Sequence, residues 1–151
     1  MLFSDLQDSI TIYVSTKNDE NKQEHIRIYL SRVYLQSTRA IKTIQVGHML
    51  DNDYVCLIPY KHVDAHGRKY MPAFDWERLP IDDRRQKYWT VKPNSQVYIG
   101  LLDEPAIIPN EQYTSIMDIT KKYEGKSFKL TNFDDFTQGS PEIWHAAIGG
   151  V

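Results

Sequence analysis

Alternation of apolar and polar residues at every second position is the feature that most constrains the fold of this chain. The clearest example is residues 88–100, where Trp89 and Val91 alternate with their neighbours and the alternation resumes beyond residue 95. This period of two is typical of half-buried β-strands. Pro93 fixes φ and Asn94 tolerates unusual backbone angles, so residues 92–95 are predicted to form a tight turn.

The same pattern predicts further strands in residues 10–14, 25–37, 54–59, 126–130 and 142–148, and residues 41–46 suggest another short strand or an irregular edge. Within 25–37 the apolar positions change parity between Leu30 and Val33, which predicts a β-bulge near Ser31 and Arg32. Long, bulged strands allow a sheet to curl and close. We therefore predict a mainly β fold, a small curled β-barrel or sandwich, in a single domain covering residues 1–151.

Two segments interrupt the strand pattern. In residues 111–123 apolar residues recur at helical spacing, Ser115 and Asp118 resemble a capping box, and Gly125 is placed to end a helix. This predicts one short helix. Residues 62–87 lack a clear period and contain several charges and prolines, so we predict a long protruding loop or hairpin there.

The 62–87 segment also carries the candidate interface residues, because long loops in compact domains are usually functional. These residues are Tyr70, Phe74, Trp76, Arg84 and Arg85. Exposed aromatic side chains would suit a protein interface. The alternative is that the three aromatic residues fold back onto the barrel.

Composition argues against a dedicated nucleic-acid-binding protein. The chain has 18 basic and 20 acidic residues, a formal net charge of −2, whereas proteins that live on nucleic acid usually carry a basic excess. The ten tyrosines fit β-strands but would also provide stacking surfaces. A single-stranded nucleic-acid-binding β-barrel therefore remains an alternative. The sequence shows no long apolar segment, so we expect no membrane partner.

Residues that could support catalysis or metal binding do not form a recognisable constellation. His62, Asp64 and His66 are spaced like ligands, but they run into a predicted turn and no fourth ligand is suggested. Cys56 lies in a continuous apolar run, which is typical of a core residue. No nucleophile elbow, P-loop or dinucleotide motif occurs. We expect no enzyme activity, no catalytic residue, no metal and no cofactor.

The order of these features resembles a known family. A first strand at 10–13, a polar loop and a long strand at 28–35 precede an irregular segment. The turn Lys92-Pro93-Asn94-Ser95-Gln96-Val97-Tyr98-Ile99-Gly100 follows, and the chain closes with Trp144-His145-Ala146-Ala147-Ile148-Gly149-Gly150. This resembles the tailed-bacteriophage head–tail connector proteins of the stopper or head-completion type. Their central turn has the pattern K-P-G-D-x-I/V-x-x-G, with Asn94 and Ser95 here near the Gly-Asp positions.

The resemblance implies a small β-barrel with one helix and an extended loop, acting as a non-enzymatic structural protein of the phage neck. It implies a homo-oligomeric ring that binds portal or adaptor and tail proteins and surrounds double-stranded DNA without reading its sequence. In such a ring the acidic Asp82 and Asp83 and the basic Arg84 and Arg85 are candidates for facing DNA or a partner protein. The implied location is the head–tail junction of the virion, after assembly in the host cytoplasm. A tail-terminator or other tail-end protein is the alternative within the same setting.

Overall fold

The computed structural model describes residues 5–37 and 54–151, in which strands predominate. The strands are β1 (Asp8–Lys17), β2 (Gln23–Ser37), β3 (Tyr54–Pro59), β4 (Lys69–Tyr70), β5 (Tyr88–Trp89), β6 (Gln96–Ile99), β7 (Ile107–Ile108), β8 (Ser127–Phe136) and β9 (His145–Gly150). The helices are α1 (Ala73–Trp76), α2 (Ile81–Gln86), α3 (Ile116–Lys122) and a 3-10 helix at Pro141–Ile143.

Six antiparallel strands close into a barrel in the order β1-β6-β8-β9-β3-β2, and β2 pairs again with β1. The short strand β7 pairs with β2, where Ile107 lies opposite Ile26. Strands β4 and β5 form a separate parallel pair. The predicted fold class is therefore confirmed, and the barrel alternative is the correct one. The short strand or irregular edge predicted at 41–46 lies outside the described residues.

The bulge that lets β2 curl lies at the predicted place. Asp8 pairs with Val33 and Ser9 with Ser31, so Arg32 is the extra residue of the ladder. Its φ of 64° is the left-handed conformation that a bulged residue can adopt. Beyond it the parity of β2 changes, and Val33 is buried where an unbroken strand would have turned it outward. The change of direction lets β2 pair with β1 mainly before the bulge and with β3 beyond it.

The predicted turn at residues 92–95 is also confirmed. The amide of Ser95 donates to the carbonyl of Lys92 at 3.3 Å, and Asn94 has φ of 70°. Pro93 followed by a residue with positive φ is the arrangement of a type II turn. The flanking strands do not pair with each other, because β5 pairs with β4 whereas β6 enters the barrel between β1 and β8.

The interior of the barrel is filled with apolar side chains. Those without measurable exposure are Ile10, Ile12, Val14, Ile28, Leu30, Val33, Cys56, Ile58, Val97, Leu130 and Ala146. They alternate with outward-facing residues along each strand, as the period of two predicts. The interior of the barrel is consequently a packed core.

Residues 62–87 do not protrude as a loop, which corrects the sequence-based prediction. They form β4 and two short helices that begin after Pro72 and Pro80, and Trp76 and Ile81 join the same hydrophobic core as the barrel strands. The irregular apolar spacing reflects two short helices and a two-residue strand, each too brief to establish a period.

The predicted helix is present but shorter, at Ile116–Lys122. Ser115 accepts a hydrogen bond from the Met117 amide, and the Asp118 side chain accepts one from the Ser115 amide at 3.3 Å, which completes the capping box. Gly125 follows with φ of 83°. The helix packs over Tyr13 and Tyr98 on the outside of β1 and β6, in a second hydrophobic cluster. The predicted final strand starts later, at His145, because Pro141–Ile143 forms the 3-10 helix.

Candidate functional site

The aromatic residues predicted at an interface divide between the core and the surface. Trp76 has no exposed surface. Tyr70 is half-buried between Tyr60 and Trp89, with 4.7 Å between its ring centroid and each of theirs. Phe74 is 73% exposed. Of the two arrangements that the sequence left open, Trp76 therefore folds back onto the barrel, and Phe74 is the member of the set that presents a large apolar surface.

The two arginines considered for contact with DNA bind other parts of this chain. Arg85 donates from Nε and Nη2 to both carboxylate oxygens of Glu24, at 2.9 and 2.7 Å. Arg84 is 6% exposed and donates from Nη1 to Thr16 Oγ1 at 2.5 Å and to the Lys17 carbonyl at 2.9 Å. Both side chains fasten α2 to the β1–β2 hairpin, and the burial of Arg84 excludes it from an external contact.

The environment of Glu24 explains why α2 is held firmly to the β1–β2 hairpin. Its side chain is 3% exposed, and burial alone would raise its pKa, but the hydrogen bonds and charge of Arg85 outweigh burial and hold the pKa below its ordinary value. A bidentate pair between a guanidinium and a carboxylate combines charge with fixed geometry. Glu24 is thus held as an anion by its partner.

A third arginine, Arg68, donates hydrogen bonds to backbone carbonyls in and after α2. Its guanidinium donates to the carbonyls of Arg84 at 3.1 Å and Tyr88 at 3.0 Å, and also to that of Arg85. Burial lowers the pKa of Arg68 to about 10. The bonds to Arg84 and Arg85 satisfy carbonyls in the last turn of α2, where the helix supplies no partners, and the bond to Tyr88 ties Arg68 to β5.

Lys92, the first residue of the type II turn, has a structural partner as well. Its ammonium group donates to the Ser15 carbonyl at 2.7 Å and to the carboxylate of Glu77. Glu77 accepts a second hydrogen bond from Thr16 Oγ1 at 2.8 Å. The turn, the end of α1 and β1 are therefore tied together by one polar cluster.

The acidic pair beside the arginines remains at the surface. The Asp82 side chain is 85% exposed and lies 4.0 Å from Arg85, and Asp83 pairs with Lys87 at 3.4 Å. These are exposed helix pairs, which contribute little to stability. Asp82 is therefore available to a partner.

A buried carboxylate that sequence reasoning missed lies under α3. Glu104 accepts hydrogen bonds from Lys122 Nζ at 2.6 Å, Tyr113 OH at 2.9 Å and Tyr123 OH at 3.0 Å. Burial pushes its pKa up, but these three donors outweigh burial and the pKa lies below its ordinary value. The donors are 9 to 19 residues away along the chain, so no local pattern could indicate the cluster.

The residues considered for metal or thiol chemistry have other partners. His62 Nε2 lies 3.0 Å from Glu142, and His66 Nε2 lies 3.1 Å from Ser31 Oγ. Within 5–37 and 54–151, no group of three or more His, Cys, Asp or Glu side chains is placed to hold a metal ion. Cys56 is fully buried, and burial raises the pKa of its thiol far above its ordinary value.

The β8–β9 connection forms an open concavity of mixed polar and apolar lining at the barrel surface. Phe136 is 49% exposed and Ile143 is 56% exposed, and both line a cavity of about 560 Å³ with Gln138 and Asp135. The Phe136 ring stacks on His145, with 4.9 Å between centroids and 19° between planes. Phe136 and Ile143 in this concavity, and Phe74 elsewhere, are exposed apolar side chains whose burial would favour association with another molecule.

The helices described here do not reach the length and apolar character needed to cross a bilayer. Fold and surface together define a closed antiparallel β-barrel protein whose buried charges hold its own segments together. The chain belongs to the family of unknown function DUF6751, whose model matches residues 6–151. No curated protein and no solved structure matches it.

Proposed function

We propose that this chain is a non-enzymatic structural protein of a tailed-phage neck. In this proposal, copies of the chain form a ring that joins the portal or head to the tail and continues the DNA channel. The ring sits at the head–tail junction of the virion and is assembled in the host cytoplasm.

The observation that carries the proposal is the type II turn at residues 92–95. Connector proteins of the stopper type have Gly-Asp near the positions of Asn94 and Ser95, and glycine favours positive φ. Asn94 adopts φ of 70° in this chain, and asparagine is the residue that best replaces glycine in that conformation. The difference from the connector pattern at Asn94 therefore preserves the backbone geometry, and the turn leads into a strand of a closed barrel, as the resemblance implies.

The placement of charge supports an assembly role. Glu24, Glu104 and Arg84 are buried and engaged by side chains or carbonyls of the same chain. The large apolar side chains left at the surface include Phe74 and Phe136. A protein that joins other proteins needs exposed apolar anchors, because such anchors supply most of the free energy of a protein interface.

The packed barrel determines where a DNA channel would lie. Since the barrel interior is occupied by residues such as Ile28 and Val97, DNA cannot pass through one chain. The channel of the proposed ring is enclosed by several copies. Its wall contacts DNA without reading its sequence.

Tyrosine burial weighs against the single-stranded nucleic-acid-binding alternative. Each of the ten tyrosines is buried or half-buried, and Tyr13 and Tyr98 lie under α3. Base stacking requires an open aromatic face on the sheet. A partner protein is therefore the better supported ligand.

Co-sedimentation tests the proposal and separates its two forms. The purified chain would be mixed with the portal protein encoded in the same genome and, separately, with tail tubes from that genome. Binding to the portal supports the stopper, binding to tail tubes alone supports the tail-terminator alternative, and binding to neither contradicts the proposal.

A further inference from the structure

We propose that two copies of this chain associate by seating Phe74 of one copy in the concavity formed by Phe136 and Ile143 of the other, with Arg78 pairing with Asp134 beside it. This inference rests on the proposed function, because it names the contact between subunits of the ring.

Phe74 is an apolar side chain held on a fixed element. It lies in α1, two residues before Trp76, whose indole has no exposed surface. The buried Trp76 anchors the helix, and Phe74 remains 73% exposed. A rigidly held aromatic side chain loses little conformational entropy on binding, which is the property of an interface anchor.

The receiving surface is also ordered by contacts within the chain. Phe136 stacks on His145, and the Ile143 amide donates to the Ser140 carbonyl at 3.0 Å. At Gly139, a Cβ would lie 3.3 Å from Ile143 Cδ1, so the chain passes close beside the Ile143 side chain. The cavity of about 560 Å³ between Phe136 and Ile143 has room for an aromatic ring.

The charges beside the two apolar surfaces are complementary. The guanidinium carbon of Arg78 lies 5.1 Å from the Phe74 ring centroid. Asp134 precedes Phe136 by two residues on the same face of β8, a separation of roughly 7 Å. Neither Arg78 nor Asp134 has an ion-pair partner in residues 5–37 and 54–151.

These spacings allow both contacts to form at once. When the Phe74 ring enters the concavity, Arg78 comes within reach of Asp134 of the other copy. Asp135 lines the concavity itself, whereas Asp134 lies beside it; Asp135 adds negative charge, although its carboxylate accepts a hydrogen bond from Tyr60 OH at 2.9 Å. An apolar anchor with an adjacent cation therefore matches a concavity that exposes Phe136 and Ile143 beside anions. Such electrostatic complementarity selects the partner and its orientation.

Sedimentation velocity over a concentration series tests this contact with the purified full chain. The wild-type chain is expected to associate as its concentration rises. Phe74→Ala is expected to weaken association at least about tenfold, since truncating an interface anchor commonly has an effect of that size or greater. Met117→Ala is the matched control, because Met117 is an apolar residue 49% exposed on α3 and lies outside the proposed contact. It should associate like the wild type.

A charge exchange tests the pairing directly. Arg78→Asp and Asp134→Arg should each weaken association, and the two changes combined in one chain should restore it. Restoration requires that the two residues meet across the interface.

The outcomes separate this contact from the proposed function. Equal association of wild type, Phe74→Ala and Met117→Ala overturns the contact but leaves a ring with another interface. A wild-type chain that stays monomeric alone also overturns the contact, whereas formation of a ring on the portal would still support the neck function. Failure of the combined charge exchange to restore association overturns the pairing of Arg78 with Asp134.

Discussion

Replacing Trp76 with alanine tests whether residues 62–87 belong to the folding unit of the barrel. Trp76 has no exposed surface and packs in the same core as the barrel strands. Phe74, two residues earlier in the same helix, is 73% exposed. The pair therefore offers two large-to-small aromatic substitutions in nearly the same backbone position with opposite burial.

Burial fixes the expected size of the effect. Truncating a fully buried tryptophan to alanine costs about 4 kcal/mol, because apolar contacts are lost and a cavity remains. The indole N–H lies 3.4 Å from the Tyr88 carbonyl, so this long hydrogen bond adds little. The Arg84 guanidinium carbon, 5.9 Å from the ring centroid, adds up to roughly 1 kcal/mol. Phe74→Ala should change the free energy of unfolding by less than about 0.5 kcal/mol.

Urea unfolding followed by circular dichroism measures both variants. With a slope of roughly 2 kcal/mol per molar urea, Trp76→Ala should lower the midpoint by about 2 M. Phe74→Ala should leave the midpoint almost unchanged. If both variants had the wild-type midpoint, residues 62–87 would not be part of the barrel's cooperative unit and the reasoning would be refuted.

Three further substitutions test the buried charges and a close backbone contact. Glu24→Gln should destabilise the chain by about 1–3 kcal/mol at neutral pH, because Arg85 loses its charged acceptor; an unchanged urea midpoint would contradict this. Both Glu24 and Glu104 have a folded-state pKa below the ordinary 4.5, so their contribution is present above that pH and is lost as the pH falls through the folded-state pKa. Glu104→Gln should therefore flatten the acid dependence of the urea midpoint, and a slope equal to that of the wild type would exclude its role. Gly150→Ala should prevent normal folding, because a Cβ there would lie 1.8 Å from the Lys129 carbonyl oxygen; a wild-type melting temperature would count against this account of β8 and β9.

Features encoded by neighbouring residues could be predicted from the sequence. The parity change between Leu30 and Val33 located the bulge at Arg32, and Pro93 with Asn94 located the turn. In each case the backbone preference and the pattern of burial depend on residues close together in the chain. Such local signals were enough for the mainly β class, and they left the choice between barrel and sandwich open.

The role of residues 62–87 could not be predicted because it depends on distant partners. Arg85 binds Glu24 from 61 residues away, and Arg84 binds Thr16 from 68 residues away. The sequence alone does not distinguish a buried arginine with a remote acceptor from an arginine on an exposed basic face. The distinction between Phe74 and Trp76 likewise requires knowing which side of a four-residue helix meets the barrel.

Native mass spectrometry most directly tests the central proposal that this barrel is a ring-forming neck protein. The chain would be measured alone and mixed with the portal and tail proteins encoded in the same genome. We predict a closed ring, either alone or on one of those partners. A chain that stays monomeric under all of these conditions would contradict the proposal.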